Sequence, residues 1–176
     1  EVMAQCPFFQ SPPLPMADSS RTAEIWRPHV TVACVVTDGE RYLMVEEEVN
    51  GRRESHPKDG PLDDGESLAA AARRETLEET GWTVQLQHLV GVHQWRSTEH
   101  GHAVLRFSFA ARPVSHDPER PLDTDITRAL WMSRAEIASL GERLRSPLVL
   151  LSIDAWLGGR RLPLDTLGYL PEGGAT

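Results

Sequence analysis

Hydrophobic and polar positions along the first third of the chain predict two strands joined by a tight turn. Residues Val30 to Val36 form a short apolar run rich in β-branched side chains, which is typical of a buried strand. Asp38 and Gly39 have the composition of a hairpin turn. The segment Arg41 to Glu47 is therefore predicted to return antiparallel to the first strand.

Further strands and two helix signals are predicted on the C-terminal side of the central helix. Loose alternation or apolar runs predict three more strands, at Thr83–Val92, Ala103–Ala111 and Ala129–Ser133. Ser133 followed by Glu136 predicts a capping box, and Arg145–Leu157 is apolar enough to be a packed helix. Strands before and after the central helix predict an α/β protein with a mixed β-sheet between helical layers.

The central element is an alanine-rich helix predicted over Glu66–Thr80 and ended by Gly81. Glu75, Glu78 and Glu79 stand at helical spacings of three and four, so they point to one side of this helix. The more apolar side is predicted to pack against the sheet. The carboxylates are predicted to lie on the opposite face.

Three neighbouring carboxylates repel each other and need a positive partner. A hard divalent cation such as Mg²⁺, bound by carboxylates, waters and substrate phosphates, supplies one. Gly60 and Gly65 precede the helix, and glycine lets the backbone approach a metal ion or a phosphate closely. The alternative is an ordinary solvated acidic face, the usual explanation of a run of charges.

Gly60 to Trp82, with its fixed spacing of Gly, Glu and Arg, resembles the Nudix box. Only the two bulky apolar positions depart mildly, with Thr76 and Trp82. The resemblance implies a set of divalent-metal ligands: the Gly60 carbonyl, Glu75, Glu78 and Glu79. It also implies that Glu66 and Arg74 orient these ligands.

The resemblance continues outside the box, at His93–Trp95 (HQW), Leu105–Ala110 (LRFSFA) and Leu144–Leu150 (LRSPLVL), and there it is to the NudJ-type phosphatases of the Nudix superfamily. It implies the α/β/α Nudix fold and a cofactor of Mg²⁺, with Mn²⁺ as a substitute. The implied substrates are nucleoside tri- and diphosphates and thiamine-related diphosphates such as hydroxymethylpyrimidine diphosphate. The implied product is orthophosphate.

A hydrolase of this kind needs a group that takes a proton from the attacking water. Glu75 and Glu78 are the candidates for this catalytic role, with Asp123 or Asp125 as more distant ones. We leave the choice among them open, because sequence gives neither reach nor pKa.

Four residues outside the helix are candidates for contact with the substrate. Trp95 and Phe107 have rings that stack on a base, although an aromatic residue in a strand pattern is more often part of the core. Arg53 and Lys58 are cations that reach phosphates, or else ordinary solvated charges near a turn.

Composition limits the class of protein. The chain has 176 residues and a formal net charge of −8 at pH 7, which argues against a nucleic-acid polymer as partner. The prediction is one domain over residues 27–170, with a Pro-rich tail over 1–26 and a short tail over 171–176. No run is long enough to be a membrane span, so we expect a cytoplasmic protein. We further expect a monomer or homodimer whose partner is a small phosphorylated substrate.

Two other functions use the same features. One is a pyrophosphatase of ADP-ribose or a dinucleotide, which cleaves a different bond with the same metal chemistry. The other is a Nudix-type module that binds a nucleotide without cleaving it. The second usually lacks box glutamates, whereas Glu66, Glu75, Glu78 and Glu79 are all present.

Overall fold

A computed structural model describes residues 25–49, 52–56, 59–96 and 103–171. The predicted N-terminal tail up to residue 24, Lys58 and residues 172–176 lie outside the described residues. Within the described ranges, no helix has the length and apolar character needed to cross a membrane.

The first of two sheets has four strands in the spatial order β4 (Asp59–Pro61), β1 (His29–Val36), β6 (Ala103–His116) and β5 (Trp82–Arg96). Strands β1 and β6 run parallel, whereas β1 and β4, and β5 and β6, pair antiparallel. The sheet is therefore mixed, as predicted. Strand β1 lies inside it, with a neighbour along each edge.

The second sheet has three antiparallel strands in the order β3 (Arg52–His56), β2 (Arg41–Val49) and β7 (Ile126–Ser133). The predicted turn forms, with Gly39 at φ 119°, but β1 and β2 share only a bridge between Thr37 and Tyr42. The predicted hairpin is wrong in this respect, because β4 and β6 already occupy both edges of β1. The two strands therefore diverge into different sheets.

Helices cover the strands from both sides. Helix α1 (Leu68–Thr80) places Ala71 and Ala72 against Val32 and Phe109 in one core cluster. Two further helices, α2 (Arg134–Ser139) and α3 (Leu148–Leu157), lie on the other side. They supply Ile137, Val149 and Ile153 to a second cluster with Val35, Tyr42 and Met44. The predicted arrangement of helical layers around a mixed sheet is confirmed.

Strands β5 and β6 are longer than predicted. Strand β6 continues to His116, although the prolines after Ala111 predict a loop. Pro113 is tolerated because β1 ends opposite Ala111, so β6 has a single neighbour at Pro113 and its missing N–H interrupts no second ladder. The predicted connection before β7 is shortened to residues 117–125.

The segment after α3 returns across the fold. Leu162 and Leu89 exchange two backbone hydrogen bonds of 2.9 Å each. Leu164 packs against the core cluster beneath α1, and the Tyr169 hydroxyl donates to the carbonyl of Gly65. This segment therefore fastens the start of α1 to β5.

Helix α2 begins with the predicted capping box. The Ser133 hydroxyl accepts from the Glu136 backbone N–H at 3.3 Å, and the Glu136 carboxylate accepts from the Ser133 backbone N–H at 2.7 Å. Ser133→Ala is expected to lower the free energy of unfolding by about 1 kcal/mol, because a helix donor loses its partner. Urea unfolding measures this, with the exposed Ser115→Ala as the control; equal stabilities would contradict the prediction.

Candidate active site

Helix α1 is fixed at both ends by its own residues. The Ser67 side chain accepts from the Ala70 N–H at 3.1 Å, so the helix begins at Leu68 rather than at the predicted Glu66. At the other end, Gly81 has a left-handed φ of 69° and its N–H donates to the Leu77 carbonyl, as predicted. These caps set the direction in which the box glutamates point.

Gly60 lies directly against the Glu75 carboxylate. A Cβ on Gly60 would lie 1.7 Å from Cδ of Glu75 and 1.9 Å from its Oε2. Gly60 pairs with Val32 in the sheet. Because Val32 belongs to the core cluster beneath α1, this position of β4 also faces α1. Only glycine leaves room for this carboxylate beside the strand. The structure thus brings together two of the predicted metal ligands.

Arg74 connects three of the box glutamates. Its Nε and Nη2 donate to the two carboxylate oxygens of Glu66 at 3.1 and 2.8 Å. Its Nη1 donates to Glu75 Oε1 at 2.6 Å and to Glu78 Oε2 at 3.1 Å. Its Nη2 also donates to the Pro61 carbonyl at 3.3 Å, which ties the helix to β4. The guanidinium is therefore the positive partner that the neighbouring carboxylates require.

These contacts change the acidity of the groups involved. The hydrogen bonds from Arg74 hold the pKa of the Glu66 carboxyl below its ordinary value. The same bonds, chiefly those to Glu66, raise the pKa of Arg74. Both groups are therefore charged at neutral pH, and the ion pair persists throughout the physiological range.

The carboxylates are less exposed than the helix pattern predicts. Glu79 is 1% exposed and Glu75 is 6% exposed, whereas Glu78 is only partly buried. The predicted separation of a packing face from a carboxylate face is wrong for Glu75 and Glu79, because Glu75 lies against Gly60 of β4 and Glu79 lines a small cavity with Val45 of β2. An ordinary solvated acidic face does not explain these two residues.

The donor set fits a hard divalent cation. Glu75, Glu78, Glu79 and the Gly60 carbonyl offer only oxygen atoms, which Mg²⁺ and Mn²⁺ prefer. Among the residues that the structure describes, no three acidic, imidazole or thiol groups already converge as a metal cluster. Arg74 holds Glu75 and Glu78 from one side and leaves each of them a second carboxylate oxygen.

The candidate residues Asp123, Asp125 and Trp95 lie at different places in the fold. The loop before β7 reaches α1, because the Asp123 backbone N–H donates to the Glu78 carbonyl at 3.2 Å. Asp125 contacts β2 instead, where its carbonyl accepts from Glu48. Trp95 is half-buried near the end of β5 and pairs with Val104.

Two further residues predicted to contact the substrate, Phe107 and Arg53, lie on strands β6 and β3. Phe107 packs against the core cluster beneath α1, in agreement with the interpretation as a core residue. Arg53 lies on β3 opposite Glu48.

Sequence reasoning did not single out several buried charges. Glu47 receives a hydrogen bond from Arg145 at 2.8 Å, and Glu46 receives one from Arg128 at 2.6 Å. Arg106 is 2% exposed although it lies in the middle of an apolar strand. The sequence signal that could have predicted this buried arginine is a charged residue inside an otherwise largely apolar strand, as in LRFSFA.

Comparison with known proteins shows the family to which this fold belongs. Residues 27–151 match the NUDIX domain family, and the chain therefore belongs to the Nudix hydrolases. It is 42% identical over 144 residues to Phosphatase NudJ of Escherichia coli strain K12, which covers 82% of this chain and 93% of that protein. The same figures hold for Phosphatase NudJ of Shigella flexneri.

Solved structures agree at the level of the fold. A NUDIX hydrolase from Nitrosomonas europaea is 41% identical and superposes with a TM-score of 0.80 over 82% of this chain and 98% of that chain. A UDP-X diphosphatase superposes with a TM-score of 0.63 at 16% identity, over 82% of this chain and 70% of that chain. At that identity the likeness concerns the fold alone.

Proposed function

We propose that this Nudix hydrolase is a Mg²⁺-dependent phosphatase. Its proposed substrates are nucleoside tri- and diphosphates and thiamine-related diphosphates, namely hydroxymethylpyrimidine diphosphate and thiamine diphosphate. The observation that carries the proposal is the 42% identity to Phosphatase NudJ over 93% of that protein's length. The contact between Gly60 and Glu75 supports the proposal, because it brings a backbone carbonyl and a carboxylate close together. Oxygen ligands of this kind suit a metal ion that also binds a diphosphate.

The proposed metal ligands are the Gly60 carbonyl, Glu75, Glu78 and Glu79. When bound, Mg²⁺ would neutralise phosphate charge and lower the pKa of a water molecule. Arg74 and Glu66 act through the ligands, since the shared guanidinium keeps Glu75 and Glu78 at fixed positions on the helix. Preorganised carboxylates need not be rearranged during each turnover.

A carboxylate of α1 takes the proton from the attacking water in this proposal. Glu78 is the more accessible candidate, because Glu75 is buried against Gly60. The backbone contact from Asp123 to Glu78 places the loop before β7 beside this part of the helix. Trp95, Arg53 and Lys58 are the proposed contacts with the rest of the substrate.

Phosphorus NMR of the products tests the proposal. The purified chain is incubated with Mg²⁺ and, separately, with GTP, GDP, hydroxymethylpyrimidine diphosphate, thiamine diphosphate and ADP-ribose. Orthophosphate is expected from the first four substrates. The signal should be absent for Glu78→Gln and in the presence of a chelator, since both remove proposed metal binding.

The alternatives give different spectra. Nucleoside monophosphate released from ADP-ribose, without orthophosphate from the other compounds, would indicate a pyrophosphatase. Nucleotide binding without turnover of any compound would contradict hydrolysis and favour a binding module.

A further inference from the structure

A cavity of about 240 Å³ lies beneath the start of α1. Its apolar lining comes from residues that are far apart in the sequence, namely Leu62, Leu68, Phe109, Leu164 and Leu167. All of them belong to, or pack on, the core cluster beneath α1. We call this space the α1 cavity.

The polar side chains that line the α1 cavity already have partners. The Ser67 hydroxyl caps α1, and the Tyr169 hydroxyl donates to the carbonyl of Gly65. Glu66 accepts two hydrogen bonds from Arg74. A buried water molecule needs about two to four polar partners, so water would fill this space poorly. A largely apolar ligand is therefore a better occupant than water.

The volume suits one aromatic ring. A dry apolar cavity of roughly 150 Å³ in another protein binds benzene. The α1 cavity is larger, so it has room for a ring that carries a short polar arm. Tyr169 lines the cavity and is 47% exposed, so the space reaches the protein surface beside this residue. A ligand can therefore enter without displacing α1.

The charges around the α1 cavity favour a cationic arm. Glu66 lines the cavity and is ionised at neutral pH. Its partner Arg74 also pairs with Glu75 and Glu78, and lies 3.5 Å from the Asp63 carboxylate. Four carboxylates thus share one guanidinium, which leaves negative charge in excess. Each Glu66 oxygen receives one hydrogen bond from Arg74 and has a second lone pair, so Glu66 can accept another donor.

We propose that the α1 cavity is a binding site for a small aromatic cation, whose ring contacts Phe109 and the lining leucines and whose ammonium group pairs with Glu66. This site is separate from the proposed substrate site and goes beyond the phosphatase proposal. Its ligand contacts both the first turn of α1 and the segment after α3 that Tyr169 fastens to Gly65. A bound ligand therefore stabilises the junction that holds the start of α1.

Titration of the full chain with benzylamine tests the inference, because this probe is an aromatic ring with a short cationic arm. The titration is followed by NMR of leucine methyl groups, in EDTA and without any phosphorylated compound. The signals of Leu164 and Leu167 should shift and saturate, whereas those of Leu157, exposed at the end of α3, should not. A dissociation constant on the order of 1 mM is expected for so small a ligand.

Related probes test the assignment of charge. Benzyl alcohol has the same ring with an uncharged arm and should bind roughly fivefold more weakly, since one contact with a partly exposed carboxylate contributes about this factor. Benzoate, which carries a negative charge, should bind more weakly still. Saturating benzylamine should also raise the melting temperature, because it binds the folded chain.

Leu167→Trp tests the location of the site. The larger side chain should fill part of the α1 cavity and abolish the saturable methyl shifts of Leu164. Leu162→Trp is the matched control, because Leu162 is an exposed residue of the same segment and does not line the cavity. This control should keep the affinity of the unmodified protein for benzylamine.

Glu66→Gln keeps the inference testable if Leu167→Trp fails to fold. It should weaken benzylamine to the affinity of benzyl alcohol and leave benzyl alcohol unchanged. If Glu66 served only the structure of the cavity, both probes would weaken by the same factor. Glu142→Gln is the control for overall charge, because Glu142 is exposed and follows α2; it should keep the roughly fivefold preference.

The outcomes separate this inference from the proposed function. Saturable benzylamine binding that is lost in Leu167→Trp and loses its charge preference in Glu66→Gln supports the site. Equal affinity for all three probes, or no methyl shift up to tens of millimolar benzylamine, overturns it. The titrations contain no metal ion and no phosphate, so neither result depends on whether the chain is a phosphatase.

Discussion

Gly60→Ala is expected to lower kcat/KM by about 100-fold or more, since a catalytic group displaced by about 1 Å costs that much. The new Cβ would occupy the position of the Glu75 carboxylate, with its Cδ only 1.7 Å away. The strand and the helix are both held by neighbours, so the side chain of Glu75 has to move. We expect Mg²⁺ to bind more weakly to the variant for the same reason.

Steady-state kinetics and a Mg²⁺ titration measure this effect, and circular dichroism confirms that the variant is folded. Gly168→Ala is the matched control, because a Cβ on Gly168 would meet nothing within 4 Å. Activity of Gly60→Ala within a few-fold of the unmodified enzyme would show that Glu75 need not lie against β4.

Arg74→Gln is expected to reduce kcat/KM by about 10–100-fold, the usual effect of removing a residue that orients metal ligands. Its loss frees the carboxylates of Glu66, Glu75 and Glu78 from their common donor. The free energy of unfolding at pH 7 should fall by about 1–3 kcal/mol, because charge-assisted hydrogen bonds are lost. Lysine is not an adequate substitute, since it lacks the planar fork that binds Glu66 twice.

The stability difference should depend on pH. Arg74 lowers the pKa of Glu66 from its ordinary value of 4.5, so this contribution is fully present above pH 4.5 and is lost as pH falls through the lower pKa of the folded state. Urea unfolding from pH 7 down to pH 3 should therefore show the two proteins converging. The neighbouring exposed Arg73→Gln is the control; a constant gap across this range would disprove the role of Glu66.

Local patterns predicted the elements that depend on local chemistry. The helix that carries Glu75 and Glu78, its stop at Gly81 and the capping box at Ser133 follow from side chains within a few residues of each other. The spacing from Gly60 to Trp82 predicted the family, which the match to residues 27–151 confirms. The proposed metal ligands on this helix remain predictions.

Features that depend on distant pairing were not predicted. Whether β1 pairs with β2 is decided by β4 and β6, which compete for its edges from far along the chain. Glu79 is buried beside Val36 of β1 and Val45 of β2, which are far from it along the chain, and the alignment of Thr31 with His93 depends on the register of β6 between them. Sequence pattern gives the face of each residue within its strand, but not the partner strand.

The segment that ends at Tyr169 has a consequence for how the protein is made in the cell. It is synthesised on the order of seconds after α1, because ribosomes add roughly 5–20 residues per second. Until Leu164 has emerged from the ribosome, the core beneath α1 lacks one of its packing partners, and Gly65 lacks the hydrogen bond from Tyr169. The nascent chain thus carries the helix of the box glutamates partly uncovered until this segment has been made.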